Sequence, residues 1–317
     1  MDSTQLWTLT DGNAGNRRQA DALAAALTHG PVMDWVLEPQ APWSWCAPRA
    51  LPRASAAFGT SFSHALAQPP RLAIGCGRQG ALATRLLRQR GSTAVQILDP
   101  RIDPRHWDLV IAPEHDGLVG DNVITLVGSL NPVDTLWLAQ ARAAFASFAD
   151  LPQPRTAVLL GGPSAHARFD LAAFEALASQ LDAALAHEGG SVMVTTSRRT
   201  PTDVIAALRK RYVETPNVVW CGDADGINPY PGMLAWADRI VASPDSVNML
   251  SEACATGVPV FVFDPDRVSG RPRRFLDALL ARRRIRRMDT TLASFPVEPL
   301  RETARIAALV KQRLSLA

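Results

Sequence analysis

The sequence predicts an α/β protein built from two doubly wound domains in tandem, each a mainly parallel sheet covered by helices on both faces. Three observations predict it. Short apolar runs of strand length alternate with longer segments of helical period along almost the whole chain. The alternation pauses at Asp150-Leu151-Pro152-Gln153-Pro154-Arg155, where two prolines in a polar stretch read as a linker, and then restarts. The chain has 317 residues, 47% of them apolar. That length buries about three quarters of the unfolded surface and divides into about two domains. The expected division is residues 1–150 and 151–317.

The elements follow in order. Strands are expected at 6–10, 33–37, 71–75, 95–98, 109–112 and 123–126, with helices at 15–28, 77–90 and 133–148. The first helix carries Ala20, Leu23, Ala24 and Leu27 on one face, the 3.6-residue period. After the linker, strands are expected at 157–161, 192–195, 218–221, 239–242 and 258–263. Helices are expected at 171–187, 201–212, 245–255, 273–281 and 300–316. Thr200-Pro201-Thr202-Asp203 is a helix start in which Thr200 caps, Pro201 takes the first helical position and Asp203 complements the dipole.

Composition excludes several function classes. With 33 basic and 30 acidic residues the net charge is +3, which gives no footprint for nucleic acid. No run approaches 18 uncharged apolar residues, so no membrane span is expected. Met1–Gln5 lacks a basic region followed by an apolar run, so no secretory signal is expected and the location is read as cytoplasmic. Cys46, Cys76, Cys221 and Cys254 are scattered, with no CxxC, and read as reduced thiols. No Cys/His cluster has ligand spacing, so neither a metal nor a resident cofactor is expected. Asp223/Asp225 and Asp264/Asp266 have the DxD form, but their glycine and proline neighbours favour ordinary turns.

In doubly wound sheets ligands bind beyond the carboxyl ends of the strands, so the loops there hold the candidate chemistry. The first strand runs into Asp11-Gly12-Asn13-Ala14-Gly15-Asn16, where glycines let backbone N–H groups approach a polar ligand at a helix start. Gly75-Cys76-Gly77-Arg78-Gln79-Gly80 is a second turn of the same kind, and a lone glycine pattern is a weak signal. His115 and Asp116 close another strand, a place suited to a general base. In the second half, Gly161-Gly162-Pro163-Ser164, then Thr196-Ser197-Arg198-Arg199, then Ser243-Pro244-Asp245-Ser246 each follow a strand. Hydroxyls and arginines at helix starts suit a diphosphate. Glu252 lies two turns into the helix that begins near Asp245.

Several of these segments resemble the donor half of GT-B glycosyltransferases: Pro229-Tyr230, residues 237–241, 245–249 and 251–260. A closer resemblance, along most of the chain, is to the bacterial family related to the plant mitochondrial-fission "elongated mitochondria" protein. It is carried by residues 9–16, Asp99-Pro100-Arg101, 108–116, 160–164, 195–201 and 245–260. Residues 39–70, with Trp43 and Trp45, match least well. The resemblance implies a GT-B-like pair of Rossmann-like domains with a cleft between them, and a last helix, residues 300–316, that crosses back onto the first domain.

What the resemblance implies about function is a metal-independent glycosyltransferase that moves a sugar from a nucleotide-sugar to a cell-envelope or other hydroxyl acceptor. Gly162, Ser164, Thr196, Ser197, Arg198, Arg199 and Ser246 would face the donor diphosphate, and Glu252 would hold the ribose. Asp11 or His115 would take the acceptor proton, with Asp11 favoured, and Gly12, Asn13, Gly15 and Asn16 would meet the acceptor. Closure about residues 151–155 would exclude water. Trp43, Trp45 and the arginines from Arg49 to Arg53 suit a lipid-linked or lipopolysaccharide-type acceptor and peripheral contact with the inner membrane, against an ordinary surface. The run from Arg282 to Arg287 reads as a solvated face, with attraction of anionic lipid or phosphate as the other reading. The alternatives are a non-catalytic scaffold that recruits to membranes, as in mitochondrial fission, and a nucleotide-sugar epimerase of the same fold.

Overall fold

The computed structural model describes residues 6–212 and 216–316; Met1–Gln5, read above as carrying no secretory signal, lies outside them. The chain forms two compact units, Met1–Pro132 together with Glu302–Ala317, and Val133–Arg301.

Unit 1 contains β1 (Leu6–Thr10), α1 (Ala14–Leu27), β2 (Val32–Val36), α2 (Trp43–Cys46), α3 (Gly59–Ala65), β3 (Leu72–Cys76) and α4 (Gly77–Arg88). It continues with β4 (Thr93–Ile97), β5 (Leu109–Pro113) and β6 (Val123–Leu126). Unit 2 begins with α5 (Thr135–Ala144), β7 (Arg155–Leu160), α6 (Leu171–Glu188), β8 (Ser191–Thr196), α7 (Thr202–Arg211) and β9 (Val218–Trp220). It ends with α8 (Tyr230–Trp236), β10 (Arg239–Ala242), α9 (Val247–Ala255), β11 (Val260–Val262), α10 (Gly270–Ala281) and β12 (Ile285–Arg287). The last helix, α11 (Glu302–Leu314), belongs to unit 1.

Each unit has one parallel six-stranded sheet, ordered β2-β1-β3-β4-β5-β6 in unit 1 and β12-β11-β10-β7-β8-β9 in unit 2. The strand order reverses between β1 and β3 in the first and between β7 and β10 in the second, which opens a crevice at the strands' carboxyl ends. The inner strands are buried along their whole length, as two covered faces require. In unit 1, Leu23, Ile74, Val95 and Ile111 pack with Ile306 and Val310 of α11. Glu302 at the start of α11 accepts the Val127 N–H at 2.9 Å, and Thr303 Oγ1 both accepts from Asn131 N–H (3.0 Å) and donates to its carbonyl (2.7 Å). In unit 2, Val158, Val194, Val241 and Phe261 pack against Phe174, Leu177 and Leu181 of α6.

Some expectations are revised. The helix expected over 133–148 breaks at Phe145 into α5 and a 3-10 turn at Ala146–Asp150. Gly232 of α8 sits so close to the Phe145 ring that a Cβ there would collide with it. Arg142 Nε donates to Ala235 O at 2.7 Å, and Trp236 Nε1 donates to Arg142 O at 3.3 Å. Residues 133–150 therefore pack within unit 2. The proline stretch 151–155 also lies inside unit 2, where the buried Arg155 side chain donates to the Ala149, Leu151 and Trp236 carbonyls.

The arginine run is not wholly solvated. Arg284 is buried and donates to the carbonyls of Ala253, Cys254, Thr256 and Val258, so it caps the carboxyl end of α9. Arg286 stacks over Phe295, 4.2 Å from the ring centroid, and Arg287 pairs with Asp266 at 2.6 Å. Thr200 does not cap α7, whose N-cap position is Pro201. Its hydroxyl donates instead to Gly161 O at 2.5 Å and accepts the Ser197 N–H at 3.0 Å, which ties the β8 loop to the end of β7.

Candidate functional site

The crevice of unit 2 gathers the loops after β7, β8 and β10. Val158 to Leu160 are fully buried, so β7 runs straight from the core into Gly161 and Gly162. Both positions exclude a side chain. A Cβ on Gly161 would enter the Asp245 carboxylate, and one on Gly162 would strike the Arg199 carbonyl. This close approach is what the glycine pair is for.

A carboxylate network fills the space so created. Gly161 N–H donates to Ser243 Oγ at 2.7 Å, and that hydroxyl donates to Asp245 Oδ1 at 2.6 Å. Gly162 N–H donates to Asp245 Oδ2 at 3.0 Å, and Arg199 Nη2 pairs with the same oxygen at 2.8 Å. The Asp245 side chain is 0% exposed while that of Arg199 is 45% exposed. Arg199 Nη1 donates to the carbonyls of Gly162 (3.0 Å) and Pro163 (3.1 Å), so one fork holds both the carboxylate and the turn.

The remaining predicted donor residues lie around this network. Ser197 is half-buried and its Oγ accepts the Arg199 N–H at 3.2 Å, whereas Arg198 is exposed. Thr196 is buried at the end of β8 and donates to Cys221 O at 3.3 Å. Ser246 is the N-cap of α9 and accepts the Met249 N–H at 3.4 Å. Val247 and Asn248 are partly exposed in the first turn of α9, which puts the positive end of that helix at the crevice mouth. Ser164 is exposed on a small turn that pairs, through Ala167, with Val268. Glu252 is buried in α9 and accepts the Tyr230 hydroxyl at 2.5 Å.

In the sequence Asp245 and Ser243 stand out only as helix-start residues, and Tyr230 only as part of a motif. What a sequence signal could have offered is the glycine pair, since two adjacent glycines after a buried strand imply something pressing on them. Among the DxD pairs, Asp225 binds Arg209 at 2.7 Å, and this together with the Cys221 N–H holds its carboxyl below the usual carboxylate range. Asp266 is bound by Arg287 and Arg273, which hold its carboxyl down at about 2.

In unit 1 the residues of the first turn cluster tightly. Asp11 accepts the Asn13 N–H (3.1 Å), the Asn13 side-chain amide (2.7 Å) and the Asn16 amide (2.9 Å). Gly12, at φ +74, permits the turn, and Asn16 reaches across to the start of α4 at Gly77. Beneath them, Cys76 is fully buried, and burial together with the nearby Asp11 charge pushes its thiol pKa up. The Gly75–Gly80 pattern is a packing device: a Cβ on Gly80 would strike the Leu9 carbonyl, so α4 lies directly on the sheet. Gly15 sits half-buried in the first turn of α1. His115 lies in a 3-10 turn after β5. In the order β1-β3-β4-β5, Asp11 and His115 stand about three strand spacings apart, roughly 14 Å. The fold therefore does not bring these two together on one proton.

Trp45 is 76% exposed on α2, and Arg78 holds that helix by donating to the carbonyls of Ser44, Trp45 and Ala47. Among the described residues, no helix is long and apolar enough to cross a membrane.

Comparison with solved structures places this pair of sheets among GT-B proteins. A UDP-GlcNAc 2-epimerase from Neisseria meningitidis, solved with UDP-GlcNAc, superposes with a TM-score of 0.58 at 11% identity, covering 98% of this chain and 100% of that one. The glycotransferase of kitacinnamycin gives 0.58 at 12% identity, covering 99% and 100%. In sequence, the chain is 31% identical over 277 residues to the mitochondrial fission protein ELM1 of Arabidopsis thaliana, covering 78% of this chain and 64% of the plant protein. It thus spans less than two thirds of that relative. It is 25% identical over a 358-residue alignment to the uncharacterized protein RP120 of Rickettsia prowazekii (strain Madrid E), covering 98% of this chain and 99% of that protein. The family model for mitochondrial fission ELM1 matches residues 14–314. With that match running almost from end to end, the chain belongs to the mitochondrial fission ELM1 family.

Proposed function

We propose that this chain is a sugar-nucleotide-dependent glycosyltransferase whose donor site is the crevice of unit 2. The observation that carries the reading is the partly exposed first turn of α9, Ser246, Val247 and Asn248, whose lead-in residue Asp245 is tied to the Ser197-Arg198-Arg199 loop by the Arg199 pair. Backbone N–H groups at a helix start, a pair of guanidinium groups and hydroxyls neutralise a diphosphate leaving group as a glycosidic bond breaks. Asp11 is the proposed acceptor base, with Gly12, Asn13, Gly15 and Asn16 as the proposed acceptor contacts and His115 as the second candidate base. Ser164 and Thr196 complete the proposed donor set, and Gly162, whose N–H is taken by Asp245, shapes the turn beside it. Glu252 is buried and one of its carboxylate oxygens accepts the Tyr230 hydroxyl; this carboxylate is the proposed ribose contact.

A second reading, a binding protein that turns nothing over, is favoured by Asp245. A buried carboxylate already saturates the Gly162 N–H and part of the Arg199 fork. The experiment that separates the two is a thermal-shift panel of nucleoside diphosphates and sugar nucleotides, followed by product analysis. A ligand at 100 times its dissociation constant adds about 2.7 kcal/mol. Stabilisation with transfer supports the enzyme, whereas silence across the panel rejects the donor site. Sugar interconversion without transfer would indicate an epimerase instead. Cytoplasmic location, a lipid-linked acceptor and peripheral membrane contact through Trp45 belong to the same proposal, and vesicle flotation of the Trp45→Ala variant tests the last.

A further inference from the structure

The glycine turn after β7 already holds an anion that belongs to the chain. We propose that Asp245 is a resident anion, a positioning residue that occupies the place where a phosphate would enter Gly161-Gly162 and locks Arg199 in one orientation. Four observations converge on it. The carboxylate is fully buried, receives the Gly162 N–H and the Ser243 hydroxyl, and meets Arg199 at 2.8 Å. Ser243 in turn accepts the Gly161 N–H, so both glycine donors are engaged. No side chain fits at Gly161, because the carboxylate stands where its Cβ would be. Asp245 also stands next to Ser246, the N-cap of α9, so the helix's positive end favours a negative charge there.

An anion held by turn N–H groups, a hydroxyl and a guanidinium at a helix start is bound as a phosphate is bound. Here the site supplies the anion itself. An external diphosphate is thereby kept one layer outward, on the N–H groups of Val247 and Asn248 and on Arg198. This last statement rests on the donor-site reading; the resident anion does not.

The test removes the carboxylate and offers a substitute. In Asp245→Gly the vacated donors should accept formate or inorganic phosphate. The variant should bind phosphate at least about tenfold more tightly than the parent, as a restored set of charge-assisted hydrogen bonds implies. Its melting temperature should rise with formate, while that of the parent does not move. A folded variant that gains nothing from either anion overturns the proposal.

If Asp245→Gly does not fold, amide hydrogen exchange on the parent and on the near-isosteric Asp245→Asn decides. Gly161 and Gly162 should be protected in the ligand-free parent, and Gly162 should exchange faster in Asp245→Asn. Equal exchange in the two proteins overturns the proposal. With UDP added to the parent, Val247 and Asn248 should slow and Gly162 should not. Slowing at Gly162 counts against the resident anion. If UDP slows none of them, the donor-site reading fails, and the Asp245 assignment is judged on the anion and exchange arms alone.

Discussion

Arg284→Met tests how α9 is held. Arg284 donates from Nε to Cys254 O at 3.0 Å and from Nη2 to Thr256 O at 2.8 Å, with longer bonds to the Ala253 and Val258 carbonyls at 3.3 Å. Burial pushes its guanidinium pKa down, so the position costs charge and is kept for its bonds. Each of the two short charged hydrogen bonds contributes about 1.5–3 kcal/mol when its partner is truncated. A cation at a buried helix end adds up to about 2 kcal/mol. Relief from the desolvation of a buried charge offsets part of this. The expected net loss is about 3–4 kcal/mol.

For a unit of this size each kcal/mol lowers the melting temperature by about 2–4 °C, so the transition should fall by roughly 6–16 °C. Arg283→Met, at the exposed neighbour, should change stability by less than about 0.5 kcal/mol. Denaturant melts of the parent and the two variants measure both. If Arg284→Met loses less than about 1 kcal/mol, or no more than Arg283→Met, then the Arg284 bonds add nothing net and the capping account is wrong.

Other outcomes follow from the same contacts. Gly80→Ala should destabilise unit 1 by about 1–3 kcal/mol in urea melts, because the added Cβ meets the Leu9 backbone carbonyl and not a side chain that can rotate away. Tyr230→Phe should cost about 1–3 kcal/mol by removing the hydroxyl from a buried carboxylate, and on the donor-site reading it should also change nucleotide affinity, which Glu252→Ala should abolish. Thiol titration at pH 8 should find two reactive cysteines in the native protein, Cys46 and Cys221, and four after denaturation. Cys254 is buried, and burial pushes its thiol up to about 11, so little thiolate is available there. Burial also raises the Cys221 thiol, so it should react more slowly than a free thiol. On the proposed mechanism, Asp11→Asn should lower turnover with donor binding retained, which a steady-state assay checks against the binding titration.

The acid side of stability has a sign that can be worked out. Asp103 is held at about 2 by Arg105, and Asp266 at about 2 by Arg287 and Arg273. Carboxyls held below their unfolded values contribute fully above about pH 4 and lose that contribution as the pH falls through about 2. Both are exposed pairs, so salt should weaken the effect.

The order of elements was legible in the sequence because buried parallel strands and amphipathic helices carry their own periodicity. β1, β6 and β10 have the expected bounds, and the other expected strands differ by one or two residues at one or both ends. β12 went unseen because only Ile285 of its three residues is buried, and two exposed arginines look like surface. α8 went unseen because its seven residues follow a proline and give too few turns for a period. The loops that hold the candidate chemistry were also legible, since they must follow strands.

The sequence by itself determined which residues lie at the carboxyl ends of the strands. Only the tertiary structure decided what each does there, because that depends on partners distant in the chain. Asp245 meets Gly162 and Arg199 across 83 and 46 residues, and Arg284 meets Cys254 across 30. Charge and hydrogen-bonding capacity are written residue by residue, but whether a group spends them on solvent, on a ligand or on its own chain is set by which loops each sheet brings together.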